Sequence, residues 1–269
     1  MFRTRALSAA ILIPLVLGLT YAGGWVLAGA LFVVAVLAAY EFFRLMEQAG
    51  YRPTLAASAV VIAALLTVAR LPSLNLLGLA LAAAIMLTLI WQLLRPPEGY
   101  PTQSWGLTLG VALWLGWLIS HFVLLRDLSP AFGLGIGTRW LLLMFLVTWV
   151  NDTAAYLVGK AIGRHPCSPY LSPKKTWEGT VGGWIGGLAA TALLGYWLVD
   201  LPWIHGLALG ALVATVAPFG DLAKSMVKRQ MGVKDFSSLI PGHGGMFDRI
   251  DSLLFVAPVM YYYATLVLP

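Results

Sequence analysis

"ALSAAILIPLVLGLTYAGGWVLAGALFVVAVLAAY", Ala6 to Tyr40, runs for 35 residues without a charged side chain. Wound as one α-helix at 1.5 Å per residue it would be about 52 Å long, against a hydrocarbon core of about 30 Å. It therefore reads as two membrane spans joined by a tight turn at Gly23 and Gly24. Arg3 and Arg5 ahead of an apolar run also fit a signal peptide. The run is long for that purpose and a second span follows at once, so the first helix is expected to be retained.

Seven more apolar runs follow, at about 54–71, 74–94, 105–125, 139–158, 180–198, 203–220 and 252–268, which brings the total to nine. The breaks between them carry turn chemistry: "RLPS" at Arg70, "RPPEGYP" at Arg95, "RDLSP" at Arg126, "DLP" at Asp200. With 60% hydrophobic and 10% charged residues and a mean hydropathy of +0.85, the chain lies outside the range of soluble domains. The expected fold class is all-α: a polytopic helical membrane protein of about nine transmembrane helices. One membrane domain is expected over 1–269, with N-terminal spans over about 6–125 and a C-terminal catalytic half over about 139–269. A β-barrel would show short segments of alternating polarity, and the sequence has none.

The net charge of +6 would point to nucleic acid in a soluble protein. In a membrane protein, Lys- and Arg-rich cytoplasmic loops account for it, so no nucleic-acid partner is expected. Cys167 is the single cysteine, which excludes an internal disulfide and a Cys-based metal site.

Orientation follows from counting cations. With a cytoplasmic N-terminus and nine alternating spans, 14 of the 17 Lys and Arg fall inside: Arg3, Arg5, Arg44, Arg52, Arg95, Lys160, Arg164, Lys174, Lys175, Lys224, Lys228, Arg229, Lys234 and Arg249. Only Arg70, Arg126 and Arg139 fall outside, the asymmetry that the positive-inside rule demands. Eight spans would put the two long charged loops on opposite faces or discard a helix of good length.

Those loops, Gly159 to Gly179 and Asp221 to Asp251, are where chemistry is expected, because loops of this length are more often functional than short ones. "SMVKRQMGVKDFSSLIPGHGGMFDRID", Ser225 to Asp251, alone holds seven charged residues: Lys228, Arg229, Lys234, Asp235, Asp248, Arg249 and Asp251. Asp152 lies inside the sixth apolar run, where an ionisable group marks either a polar cavity or a helix-packing hydrogen bond. Pro218 and Gly220 are expected to end the eighth span. Beyond them Asp221, Lys224, Ser225 and Lys228 share one face of a new helix, at spacing that a plain solvated face would also show. Asp248 and Asp251 share a face at the start of the ninth span, where helix capping is the competing explanation.

Asp152, Asp221, Asp248 and Asp251 thus all fall at the inner membrane boundary. Oxygen donors of this kind suit Mg2+, which uses one or two carboxylates with phosphates and water. Lys and Arg on the same loops suit phosphate oxygens, and Gly242, Gly244 and Gly245 let backbone N–H groups approach an anion. The chemistry implied is metal-assisted phosphoryl or nucleotidyl transfer. No Walker A, Rossmann, HExxH or GxSxG pattern is present.

From about Thr148 onward the chain resembles the phosphatidate cytidylyltransferases, or CDP-diacylglycerol synthases. The Ser225–Asp251 stretch matches that family's pattern of Ser, Lys-Arg, Lys-Asp, His-Gly-Gly, Asp-Arg and Asp in register. "NDTAAYLVGKAIGRH" (151–165) and "LSPKKTWEGTVGG" (171–183) resemble it too, and "AAYEFFRL" (38–45) is the one such stretch in the first half. The resemblance implies the reaction of CTP with phosphatidic acid to give CDP-diacylglycerol and pyrophosphate, with Mg2+ and a second cation as cofactors. It implies an enzyme of the bacterial-type plasma (inner) membrane with its active site facing the cytoplasm.

By that resemblance Asp221 and Asp248 are the main metal ligands, with Asp152 and Asp251 in a supporting or second-cation role. Lys228, Arg229, Lys234 and Arg249 bind the triphosphate, and Lys174 and Lys175 hold the lipid phosphate or CTP. Ser225, Asp235, His243, Gly244 and Gly245 complete the substrate-binding set, with a loop-ordering hydrogen bond the alternative for His243. Glu178 orients Lys175 or caps the seventh span. Gly179, Gly183 and Gly187 recur every four residues, which fits close packing inside the chain first and a homodimer contact second. His121, His165 and His205 are expected to be structural.

Two other readings compete. A CTP-using lipid kinase would share part of the loop and release CDP. A transporter would spread its acids near the bilayer midplane, often with an inverted repeat; here the acids gather at one face and no repeat is visible.

Overall fold

The computed structural model describes residues 2–128, 135–233, 236–237 and 244–268. Among them are nine helices in chain order: α1 (Phe2–Ala22), α2 (Gly24–Gln48), α3 (Leu55–Arg70), α4 (Leu77–Leu93), α5 (Pro101–Arg126), α6 (Ile136–Ile162), α7 (Trp177–Val199), α8 (Trp203–Gln230) and α9 (Phe247–Leu266). A small antiparallel hairpin, β1 (Pro166–Ser168) and β2 (Ser172–Thr176), pairs Pro166 with Thr176 and Ser168 with Ser172. Five helices, α2 and α5 to α8, are long and apolar enough to cross a membrane, and α3 and α4 are shorter apolar helices. The chain is a helical membrane protein, and exposed Leu79, Met86, Leu93, Ile204 and Trp197 are the apolar outer surface that lipid requires.

The turn expected at Gly23 and Gly24 is there. α1 stops at Ala22, and both glycines take positive φ (59° and 55°), a backbone state that costs a β-carbon-bearing residue dearly.

The chain forms two compact units, residues 1–127 with 231–249 and residues 128–230 with 250–269. In the first, α2 buries Ala35, Ala38, Phe42, Phe43 and Met46, and α3 buries Ile62, Leu65 and Leu66. α5 meets α3 at Gly116, where a β-carbon would lie 3.1 Å from Ile62 Cα. Just there α5 widens into a π-turn, Leu113–Trp117. Polar groups between these helices are paired: Ser58 Oγ donates to the Thr108 carbonyl at 2.8 Å, and the Thr54 N–H to Thr108 Oγ1 at 2.9 Å. Where no water reaches, such pairing is obligatory.

In the second unit α7 packs on both neighbours through small residues. Gly179, Gly183 and Gly187 face α6, a β-carbon on Gly183 coming within 2.8 Å of Ala155 Cβ. From α8, Gly206 and Gly210 approach α7 at Ala192 and Leu188. The four-residue glycine spacing is therefore used for packing inside the chain.

Two boundaries differ from expectation. The Gly159–Gly179 segment is not a plain loop: α6 continues to Ile162 and the hairpin follows. Pro218 and Gly220 do not end the eighth helix, since α8 runs without a break from Trp203 to Gln230. Proline here removes one backbone hydrogen bond, a loss that helices buried in protein tolerate. Gly220 is a contact and not a stop: a β-carbon there would collide with the Asp251 backbone, 2.8 Å from its carbonyl carbon. Asp221, Lys224, Ser225 and Lys228 thus belong to the last turns of α8 itself.

Candidate active site

The face of α8 that the spacing pointed to is turned inward. Lys224, Ser225 and Lys228 are buried, and the Asp221 side chain is 28% exposed. A solvated amphipathic face is thereby excluded for these residues. Lys224 Nζ lies 2.9 Å from Asp221 Oδ1 and 2.5 Å from Asp251 Oδ2, so one ammonium bridges the carboxylates of α8 and α9. Lys175 Nζ, from β2, lies 2.6 Å from Asp221 Oδ2. Both Asp221 oxygens are therefore held by lysines. Asp152, on α6, is within electrostatic reach of Asp251, Asp221 and Lys175, and Asn151 Nδ2 donates to its Oδ1 at 3.4 Å.

A second staple fixes the hairpin along α8. Arg229 Nε donates to the Leu171 carbonyl at 3.1 Å. Asp221 to Arg229 spans two helical turns, about 12 Å at 1.5 Å per residue. Lys175 to Leu171 spans about 13 Å of extended chain. The two lengths match, so a hairpin laid along the helix meets it at both points. Lys174, whose side chain points to the other face of β2, is exposed. Glu178 is held elsewhere than at Lys175: its Oε2 accepts from the Arg164 and His165 N–H groups at 3.1 and 3.3 Å, and its Oε1 meets His165 Nδ1 at 2.6 Å. The cap of α7 is Thr176, whose Oγ1 accepts from the Gly179 N–H at 3.2 Å. His165 and His205 have structural partners, the latter through Nδ1 and the Tyr263 hydroxyl at 2.9 Å.

The first unit contains Asp248, in the first turn of α9 and buried. Its Oδ2 accepts from the Phe236 N–H at 3.4 Å and the Gly245 N–H at 3.3 Å. One glycine N–H expected to face an anion is thus turned to Asp248. Gly244 has φ 85°, and Arg249 is exposed. Lys234, Asp235, Gly242 and His243 lie outside the described residues.

Two residues that the motif reading left without a role stand at these centres. The sequence reading puts Lys224 on one face of a new helix beyond the eighth span and gives it no task; the signal for it is its place three residues from Asp221. Glu41 lay inside the "AAYEFFRL" stretch. A lone carboxylate at the end of an apolar run is itself a mark of a site, and Glu41 is 3% exposed.

Among the described residues, no three His, Cys, Asp or Glu side chains converge as a metal-binding group. The donors that are present are hard carboxylate oxygens, pairwise at Asp221 and Asp251 and singly at Asp248. Each is the hard-oxygen type of donor that Mg2+ uses; that ion takes one or two protein carboxylates and fills the rest of its shell with phosphate and water.

Long apolar helices, with carboxylates and ammonium groups salt-linked within the second unit, define a helical membrane protein that carries polar chemistry. The chain belongs to the cytidylyltransferase family, whose model matches residues 3–267. It is 34% identical to a phosphatidate cytidylyltransferase of Synechocystis sp., over 98% of this chain and 97% of that one. It is 33% identical to a phosphatidate cytidylyltransferase of Brucella suis, over 98% and 93% of the two chains. With phosphatidate cytidylyltransferase 4, chloroplastic, of Arabidopsis thaliana it shares 36% identity over 89% of this chain and 67% of the relative.

Proposed function

We propose that this chain is a phosphatidate cytidylyltransferase of the plasma membrane, with nine spans, a cytoplasmic N-terminus and an active site open to the cytoplasm. The observation that carries the reading is the linkage Lys175–Asp221–Lys224–Asp251, buried at Lys224 and Asp251 and half-buried at Lys175 and Asp221, polar chemistry tied together in a chain otherwise built for lipid. Near-full-length similarity to phosphatidate cytidylyltransferases supports the same substrates. A phosphate oxygen of phosphatidic acid attacks the α-phosphorus of CTP, and the bond to the bridging oxygen of the β-phosphate breaks. CDP-diacylglycerol forms and pyrophosphate leaves.

The nucleophile is already ionised, so no strong base is required, and catalysis rests on alignment and charge neutralisation. Asp221 and Asp248 would hold Mg2+, with Asp152 and Asp251 in support; bound there, the ion would offset the charge of the triphosphate. Lys224 and Lys175 fix the Asp221 carboxylate. Lys228, Arg229, Lys234 and Arg249 bind the triphosphate, and Lys174 faces the lipid phosphate. Ser225, Asp235, His243, Gly244 and Gly245 line the nucleotide.

The test is the purified protein in detergent with labelled CTP and Mg2+, with and without phosphatidate. Pyrophosphate and CDP-diacylglycerol should appear in equal amounts and only with the lipid; release of CDP would instead mark a kinase. Asp221→Asn and Asp248→Asn should each lower lipid-dependent pyrophosphate release by at least about 100-fold, the size of effect expected when charge stabilisation at a transition state is removed. Near-normal turnover in either variant, with the protein still monodisperse, would remove that aspartate from the site.

A further inference from the structure

Glu41 makes three hydrogen bonds, and all of them go to the far end of the chain. Its Oε1 accepts from the Ser237 hydroxyl at 2.5 Å and the Met246 N–H at 2.9 Å; its Oε2 accepts from the Phe247 N–H at 3.0 Å. The first N–H groups of a helix have no partner within it. A carboxylate from α2 thus supplies the cap for α9 across a separation of 206 residues, and its charge complements the positive end of the helix dipole. From the other side, Asp248 Oδ2 takes the N–H groups of Phe236 and Gly245.

The two carboxylates grip the same two points. Glu41 holds Ser237 and Met246–Phe247; Asp248 holds Phe236 and Gly245. Gly245 lies between them with no space for a side chain, since a β-carbon would sit 2.6 Å from Glu41 Oε2. The rings of Phe42, Phe236 and Phe247 close over the contact, with centroid separations of 6.0 Å (Phe42–Phe236), 6.1 Å (Phe42–Phe247) and 4.8 Å (Phe236–Phe247). Trp114, from the π-turn of α5, packs edge-on against Phe247 at 5.2 Å. Both ends of the segment from Phe236 to Gly245 are therefore clamped in an apolar surround.

We propose that Glu41 is a positioning residue for the cytidylyl-transfer site: it sets the Asp248 carboxylate, with Phe236, Ser237 and Gly245 beside it, in register for Mg2+ and CTP. The proposal rests on the function proposed above. A buried glutamate offers four lone pairs to three donors, whereas glutamine would aim an NH2 group at a backbone N–H and leave that donor unpaired. A glutamate that only stabilised the fold would, when lost, lower the amount of active protein and leave its ligand affinities unchanged. A positioning residue moves the affinities.

The experiment uses the full-length protein in detergent and compares the wild type with Glu41→Gln, Glu41→Asp and Ser237→Ala. Two quantities are read: the Mg2+ concentration for half-maximal pyrophosphate release, and the rise in melting temperature caused by Mg2+ with CTP in the absence of lipid. In Glu41→Gln the Mg2+ requirement and the KM for CTP should each rise about tenfold or more and the CTP-induced thermal shift should vanish, with the KM for phosphatidate unchanged. Glu41→Asp, which keeps the charge, should recover part of both. Ser237→Ala removes one donor of three and should raise the Mg2+ requirement by a few-fold; it decides the matter if Glu41→Gln does not fold. Parallel Mg2+ and CTP titrations in a folded Glu41→Gln, or in Ser237→Ala, would overturn the proposal. A wild type with no CTP-induced shift and no pyrophosphate release would overturn the underlying function instead.

Discussion

Lys224 separates a structural cation from a catalytic one. Its side chain is 8% exposed and its ammonium faces two carboxylates, of which Asp251 is 12% exposed. Removing one member of a buried ionic set leaves the others uncompensated, at a cost of about 3–5 kcal/mol. Lys224→Met should therefore destabilise the protein by that order, measured as denaturant unfolding in detergent. The double variant Lys224→Met, Asp251→Asn should recover a large part of the loss, because the stranded charge has gone. Additive losses in the two variants would mean that the ammonium and Asp251 do not depend on each other. The sequence made Asp221 and Asp251 legible as candidates through their place at span ends. It did not make Lys224 legible as their bridge, because an amphipathic helix on the surface shows the same i, i+3, i+4 spacing as one whose polar face points inward. Glu41 was missed for a different reason: its partners are about 200 residues away, and no local pattern records them.

At the scale of elements, the apolar runs located the helices, since an apolar run of 16 or more residues has few other uses. What it misjudged was punctuation. Pro218 and Gly220 carry the local signal of a helix end, yet α8 continues through them to Gln230. The reason is tertiary: at Gly220 the α9 backbone of Asp251 and Ser252 comes within reach of a β-carbon. Gly220→Ala should force α8 and α9 apart, with a loss of about 1–3 kcal/mol, the usual cost of overpacking. Since Asp221 and Asp251 flank that contact, turnover should fall as well. Gly29→Ala is the matched control on an open helix face, with nothing within 4 Å of the added carbon. It should be neutral or mildly stabilising, as alanine favours a helix over glycine by up to about 1 kcal/mol. Equal melting temperatures for Gly220→Ala and Gly29→Ala would show that the contact bears no weight.

For the whole molecule the question is which side of the membrane each loop occupies. The proposed topology puts only Arg70, Arg126 and Arg139 outside, and two of these are committed to local structure. Arg126 donates through Nε and Nη2 to the Thr20 and Tyr21 carbonyls at the end of α1, at 2.9 and 3.2 Å. Arg70 is paired with Asp127 and lies over the Trp25 ring. Three cations outside against 14 inside keep the cytoplasmic bias that sets orientation. The helices α3 and α4, at 16 and 17 residues, are about 24 and 26 Å long, short of a core of about 30 Å. They are joined by the turn Pro72–Leu74, so if neither crossed fully both would fail together, and every later loop would keep its side. Two reporters separate these cases in a Cys167→Ser background, which has no other cysteine. Tyr170→Cys, at the 91% exposed tip of the hairpin, should react with a membrane-impermeant maleimide only in inside-out vesicles. Asn75→Cys, in the α3–α4 turn, should react only in intact cells if nine spans are present. Labelling of Tyr170→Cys from outside would invert the whole arrangement and remove the site from the CTP pool, whereas protection of Asn75→Cys from both sides would leave the site where it is and reduce the crossings to seven.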